Sequence, residues 1–259
     1  MLHTDIPHGL HSGEPRIGCA GWAIRREHSE RFAHVGTHLQ RYAALFNCVE
    51  INSCFYRPHR FSTYERWAGS VPDDFQFAVK LPKVITHELR LVDASAPLTR
   101  FLDETSGLGA KRGPILAQLP PSFAFDSPVA ERFFAELRAL FDGEIALEPR
   151  HETWFSAEVD ALLRGNRISR VAADPARVPA AAEPGGYDRP CYYRLHGSPR
   201  IYYSAYPADT LTQIARAIEA RTTNGIPTWC IFDNTALGAA TTDALAVKAH
   251  LLESRRPTR

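Results

Sequence analysis

Short apolar or β-branched runs alternate with stretches of helical period along most of this chain. The runs fall at 16–23, 48–56, 75–82, 113–120, 144–150, 168–175, 191–198 and 228–234. Between them lie THLQRYAALFN, FSTYERWAGSV, a stretch over 93–108, SPVAERFFAELRALF, AEVDALLRG and DTLTQIARAIEAR, and ALAVKAHLL follows the last run. In SPVAERFFAELRALF the apolar positions Phe133, Leu137, Leu140 and Phe141 keep helical spacing. The pattern predicts eight strands and seven clear helices. Strand–helix alternation implies parallel strands and right-handed crossovers. Eight units in a chain of 259 residues predict one α/β domain over 16–254, a TIM-like (β/α)8 barrel rather than an open doubly wound sheet. The sixth connection, ARVPAAAEPGGYDRP, is too rich in proline and glycine for a regular helix, and a loop with a short helical turn is expected there. Residues 1–15 are expected to form a loose lead-in and 255–259 a frayed tail.

A second pattern lies inside the first. A strand buried on both faces should be almost continuously apolar, yet Glu50 and Asn52, Glu148 and Arg150, and Arg194 and His196 recur at every second position. Lys80, Gln118 and Asp174 close three further runs. Because strand side chains alternate in direction, Val49 and Ile51, Ile145 and Leu147, and Tyr193 and Leu195 should face the helices. The polar set should then point into the barrel. Positions late in a strand fall at its C-terminal mouth, where barrel enzymes hold their chemistry. Glu50, Lys80, Glu148, Arg150, Arg194 and His196 are therefore expected to converge. An ion-pair network that merely closes the barrel is the competing account, since buried charges must be paired or used.

Composition narrows the choices. Apolar residues make up 44% and charged residues 23%, as in an ordinary globular protein, and the net charge of +1 gives no global field for nucleic acid or lipid. No apolar run is long enough to span a membrane, the start lacks the order of a secretory signal, and a cytoplasmic protein is expected. Cys19, Cys48, Cys54, Cys191 and Cys230 all fall within the expected strands without a C-x-x-C pair, which predicts reduced, buried thiols.

The stretches IGCAGW, LQRYAALFNCVEINSCFYRP, FQFAVKLPKVITH, ILAQLPPSF, ALEPRHETWF, YYRLHGSPRIYYSAY and IFDNTALGAAT, in this order and spacing, resemble the YecE-like family, domain of unknown function 72, over nearly the whole chain. The resemblance implies a TIM-like barrel and supplies no reaction. It marks Trp22, Glu50, Asn52, Tyr56, Lys80, His87, Gln118, Glu148, Arg150, His151, Trp154, Arg194, His196, Gly197, Tyr206 and Asn234 as motif positions. After Trp22 the chain departs from the family's aromatic, Phe-Tyr-Pro pattern with AIRREHSERFAHVG, which takes aromatics out of part of the expected pocket wall. At the last strand Asp233 stands where a second Asn is commoner and adds a carboxylate to the rim.

From these residues the leading expectation is a metal-independent enzyme with no cofactor, doing proton-transfer or hydrolytic chemistry on a small anionic or phosphorylated substrate. Glu148 and His196 are the expected acid–base pair, with Glu50 beside them. Burial is expected to raise the pKa of Glu148 toward the useful range. Lys80, Arg150 and Arg194 would hold the anion, with Asn52, Gln118 and Asn234 as polar contacts. Trp22, Tyr56, Trp154, Tyr202, Tyr203 and Tyr206 would form stacking walls. NTALGAAT in the eighth loop is expected to offer backbone N–H groups to a phosphate. Two alternatives stay open: a nucleic-acid binder or divalent-metal nuclease, and a non-catalytic small-molecule binder. Composition and pattern do not set the oligomeric state.

Overall fold

The computed structural model describes residues 14–254, so the expected lead-in, apart from Glu14 and Pro15, and the tail over 255–259 lie outside the described residues. The strands are β1 (Arg16–Cys19), β2 (Cys48–Ile51), β3 (Gln76–Lys80), β4 (Arg112–Gln118), β5 (Ile145–Glu148), β6 (Ile168–Arg170), β7 (Ala172–Asp174), β8 (Gly185–Gly186), β9 (Cys191–Leu195) and β10 (Thr228–Phe232). They form two sheets, in the orders β1-β10-β9-β7 and β2-β3-β4-β5-β6-β8. Every pairing is parallel except the two-residue pairing of β8 with β6. Ala20, just past β1, bridges in parallel to Glu50, and the Gly21 N–H donates to the Glu50 carbonyl at 2.9 Å. At the other edge a single residue, Val171, separates β6 from β7, and its N–H donates to the Leu147 carbonyl at 2.9 Å. The chain is thus a mixed α/β fold with parallel sheets. The sixth expected strand is divided in two.

The helices are α1 (His38–Ala43), α2 (Ser53–Tyr56), α3 (Phe61–Ala68), α4 (Ser95–Thr105), α5 (Ser127–Leu140), α6 (Ala157–Gly165), α7 (Ala208–Thr223) and α8 (Ala239–Ser254). Their starts carry local signals. Thr37 and Gln40 form a reciprocal capping box before α1. Asp126 accepts from the Val129 N–H at 3.1 Å, with proline in the first turn of α5, and Ser156 accepts from the Val159 N–H at 3.2 Å. On α5 Phe133 and Leu137 are buried as expected, whereas Leu140 is exposed at the last position. The sixth connection holds a 3-10 turn (Pro179–Ala182) and β8. Arg170 fastens it by donating to Asp160 Oδ1 at 3.0 Å and to the Ala180 carbonyl at 2.6 Å.

Several expected strands run too long. The 48–56 run stops at Ile51, and Ser53–Tyr56 turns helical, so Cys54 is a helical residue rather than a strand residue. Its thiol donates to the carbonyls of Ile51 and Lys80 at 3.2 and 3.1 Å. The 16–23 run stops at Cys19, and Arg150 and His196 lie just beyond β5 and β9. All five cysteines are free and buried.

The strands face two apolar layers. Ile17, Val49, Ile51, Phe77, Val79, Ile115, Ile145, Leu147, Leu195 and Phe232 pack into the large core shared with the helices. Cys48, Ala78, Leu116, Ala146, Val171, Tyr192, Trp229 and Ile231 form a separate cluster on the opposite face. Gly18 allows β1 to pass close to β2: a Cβ there would lie 2.3 Å from the Cys48 carbonyl oxygen. Among the described residues no helix is long and apolar enough to cross a membrane.

Candidate active site

Six of the eight members of the smaller cluster are followed two positions on by a polar residue, in the strand or just past its end. Cys48 is followed by Glu50, Ala78 by Lys80, Leu116 by Gln118, Ala146 by Glu148, Tyr192 by Arg194 and Ile231 by Asp233. Strand parity alone thus carries this face from apolar to charged toward the strands' C-terminal ends. All six of these polar residues are buried.

Arg194 is the hub and has no exposed surface. Its Nε and Nη2 donate to the two oxygens of Glu50 at 2.9 and 2.6 Å. Its Nη1 donates to Glu148 Oε2 at 2.6 Å, and Nη2 also reaches Asp233 Oδ2 at 3.1 Å. Tyr192 Oη donates to Glu50 Oε2 at 2.9 Å. Such a guanidinium, once out of water, is tolerable only because forked carboxylates replace its solvent. Burial disfavours its charge, yet Glu50, Glu148 and Asp233 hold its pKa well above the usual arginine value.

Glu148 also accepts from Gln118 Nε2 at 3.0 Å, from Arg150 Nε at 3.0 Å and from the His196 ring at 3.0 Å. Burial alone would raise its pKa, the direction expected from sequence. The charges of Arg194, His196 and Arg150 outweigh burial and hold it well below 4.5. Glu148 is therefore a fixed anion at neutral pH and holds no proton to give.

The surroundings of His196 favour its proton. Its Nε2 lies 3.0 Å from Glu148 Oε1 and its Nδ1 lies 3.1 Å from Asp233 Oδ2. Carboxylates at both nitrogens favour a ring that carries both hydrogens, while Arg150 Nη2 also lies 3.4 Å from Nε2. Burial works against that charge, but Glu148 and the hydrogen bonds to Asp233 and Glu148 raise the pKa above 6.5. Asp233 is lowered by Arg194 and His196 against the opposing effect of burial.

Lys80 differs from every other charge here. It closes β3 with only 8% of its surface exposed, and its Nζ sits 4.2 Å from the centre of the Phe55 ring. It makes no hydrogen bond or ion pair with any described residue. Burial, then the charge of Arg194, lowers its pKa from 10.5 to about 8 against the pull of Glu50, Glu148 and Asp233. Beside it, His87 lies in a π-helical turn (Val84–Glu88), edge-on to Phe55, and burial with the charges of Lys80 and Arg150 lowers its pKa. Arg150 is partly exposed, and Tyr202 sets its ring edge against His196 at 5.8 Å.

The six residues expected to converge do lie on this face, and five of them share one bonded network. Other candidates lie elsewhere. Trp154 is fully buried among Phe123, Phe125 and Phe134, where its Nε1 donates to the Phe123 carbonyl at 2.8 Å, so it is core rather than wall. Tyr56 is 81% exposed because α2 turns it out of the strand. Trp22 packs its ring edge against Trp67. Tyr206 donates to Asp174 Oδ1 and accepts from the Gly197 N–H, both at 2.8 Å, which fixes the loop after β9. Asn234 donates to the Ser204 carbonyl and to Asp243, while its Oδ1 and that of Asn52 are buried without a partner. His151 accepts from the Thr153 N–H and caps a 3-10 turn.

Four amides of the eighth loop are already committed to carbonyls. The N–H groups of Ala236, Gly238, Ala240 and Thr241 already donate to carbonyls of Tyr202, Thr235, Asn234 and Gly238. The departing segment after Trp22 docks here: Arg25 donates to the Ala236 carbonyl, and the His28 ring lies 3.1 Å from the Gly238 carbonyl. Tyr192 extends the site beyond the residues first singled out, and strand parity was the available signal for it, two positions from Arg194. Asp233 takes the rim place expected of it, bonded to Arg194 and His196. Among the described residues no group of three or more His, Cys, Asp or Glu is arranged to hold a metal ion. A cavity of about 280 Å³ lined by Ile17, Phe46, Phe75 and Leu251 opens by the start of β1, the end of that strand remote from this network.

The model of a family described as "Protein of unknown function DUF72" matches residues 16–258. The UPF0759 protein YecE of Escherichia coli (strain K12) is 33% identical over 187 residues, covering 70% of this chain and 62% of that protein, so less than two thirds of the relative is matched. A crystal structure of a DUF72 family protein from Enterococcus faecalis V583 superposes with a TM-score of 0.78 at 19% identity, covering 95% of this chain and 99% of the other. One from Thermotoga maritima MSB8 gives 0.76 at 24% identity, with 92% and 98% covered. A sugar phosphate isomerase/epimerase from Parabacteroides distasonis ATCC 8503 gives 0.53 at 11% identity, with 94% and 95% covered, a likeness of fold alone. With its sequence matched from Arg16 onward and its fold shared with solved members, the chain belongs to the DUF72 family.

Proposed function

We propose that the chain is an enzyme that performs proton-transfer or hydrolytic chemistry on a small anionic or phosphorylated molecule. The two sheets are taken as one TIM-like (β/α)8 ring, joined at the Ala20–Glu50 bridge and across Val171, with the reaction at its C-terminal mouth. The observation that carries the reading is the charge balance at that mouth. With His196 protonated, Lys80, Arg150, Arg194 and His196 face three carboxylates, Glu50, Glu148 and Asp233, and the cluster is then one anion short. A network that served only to close the ring would be expected to neutralise itself.

The roles follow from what remains available. Glu50 is fully engaged by Arg194 and Tyr192, and its part is to hold Arg194. Glu148 and Asp233 hold the imidazolium of His196, which is the acid of the site. Arg150 and Lys80 bind the anion, Arg150 through a fork and Lys80 as a point charge. Gln118 orients Glu148 from the neighbouring strand. The test is a panel of phosphorylated aldoses and ketoses incubated with the full chain in D2O and followed by NMR. Solvent deuterium exchange or turnover that His196→Gln abolishes supports the reading. Turnover untouched by His196→Gln, or none with any member of the panel, counts against it.

A further inference from the structure

In a network where every other ionised group is hydrogen-bonded or ion-paired, Lys80 has no such partner among the described residues. Arg194, Arg150, His196, Glu50, Glu148 and Asp233 are all bonded to one another. Lys80 is buried beside them against the Phe55 ring, with Glu50, Glu148 and Asp233 near enough to act on it only through space. A buried ammonium without hydrogen bonds is costly. It persists where the neutral amine has a use.

The chain's residue usage sharpens the point. Its only lysines are Lys80, Lys83, Lys111 and Lys248, against 26 arginines. Lys83 is half exposed and pairs with Glu88, Lys111 donates to the carbonyls of Ala68 and Val71, and Lys248 donates to the Leu45 carbonyl. Arginine binds anions at least as well as lysine but cannot give up its proton. Lysine at position 80 is the residue that can become a nucleophile.

We propose that Lys80 is a carbonyl-reactive amine that condenses with the aldehyde or ketone of a small anionic carbonyl compound to form an iminium ion. This rests on the reading of the mouth as an anion-binding site and deepens it. The neutral amine attacks the carbonyl carbon, a C–N bond forms, and the carbonyl π electrons pass to oxygen, which takes a proton. Nitrogen then gives up one proton, the hydroxyl takes another, the C–O bond breaks and water leaves. In sum, amine, carbonyl and one proton give iminium and water. His196 in its protonated form supplies the acid. At pH 7 a lysine lowered to about 8 is neutral in roughly one molecule in ten, against fewer than about one in a thousand for an ordinary lysine. The charges facing Lys80 are Arg194, Glu50, Glu148 and Asp233, with His87 on the adjoining turn.

The experiment is borohydride trapping of the full chain at pH 7 with dihydroxyacetone phosphate and, separately, pyruvate, followed by peptide mapping. One reduced adduct per chain on Lys80 is expected with at least one probe. Inorganic phosphate should reduce its formation, and Lys80→Arg and Lys80→Met should lose it. Because Lys80→Arg keeps the charge, it separates loss of the amine from loss of the fold. No adduct on Lys80 with either probe, or equal labelling of Lys83, overturns the proposal. Calorimetry with the same probes without borohydride tells the two failures apart. Binding without trapping leaves the anion site standing and removes the lysine chemistry, whereas no binding removes both.

Discussion

Replacing Lys80 by methionine should make the protein more stable while removing a member of its site. Burial and Arg194 lower the lysine's pKa from 10.5 to about 8. At ~1.4 kcal/mol for each tenfold change, the folded state bears about 3 kcal/mol for keeping the proton at neutral pH. Methionine has a similar volume and flexibility and carries no charge. The contact of Nζ with Phe55, 4.2 Å from the ring centre, is lost, at about 0.5–1 kcal/mol. The net expectation is a gain of about 2 kcal/mol, or ~4–8 °C in Tm for a domain of this size. Thermal and urea denaturation of Lys80→Met and the parent chain measure it directly. The cost is fully present below pH 8 and fades as pH rises toward 10.5, where folded and unfolded lysine are both neutral. The advantage of Lys80→Met should therefore shrink over that interval. A variant less stable than the parent at pH 7, or an advantage that ignores pH, would refute the reasoning.

Other outcomes follow from the same network. Glu148→Gln leaves Arg194 and His196 short of an anion at a buried site and should lower stability by about 3–5 kcal/mol in urea denaturation. His196 has a raised pKa, so the stability it adds is complete below pH 6.5 and is lost as pH climbs through the higher folded value. The Tm difference between parent and His196→Gln should accordingly be largest near pH 6 and smaller by pH 9. Tyr206→Phe removes the acceptor of the buried Gly197 N–H and the donor to Asp174, and should cost about 1–3 kcal/mol with the sheets' spectroscopic signature unchanged.

Much of the site was legible because strand parity has a period of two. Glu50, Lys80, Gln118, Glu148 and Arg194 follow from counting along apolar runs, and Asp233 obeys the same count from Ile231. What misled was local chain direction at strand ends. After Ile51 the backbone turns helical, so counting on to Tyr56 gave a wall residue that the structure turns outward. Trp154 looked like a pocket aromatic, but a 3-10 turn capped by His151 folds it into the core. The pKa of Glu148 could not be read from burial alone, since its direction depends on three cations contributed by β9 and two loops. The eighth loop shows the same limit: its amides were visible in sequence, their carbonyl partners were not.

The central claim is that the mouth is short of one anion and binds one. Calorimetric titration of inorganic phosphate into the full chain at pH 7 and low salt tests it most directly, comparing the parent with Arg150→Gln. The account predicts saturable binding at one site per chain, weakened by about tenfold or more in Arg150→Gln, as loss of a charge-assisted fork implies. No saturable binding, or the same affinity in both proteins, would contradict it.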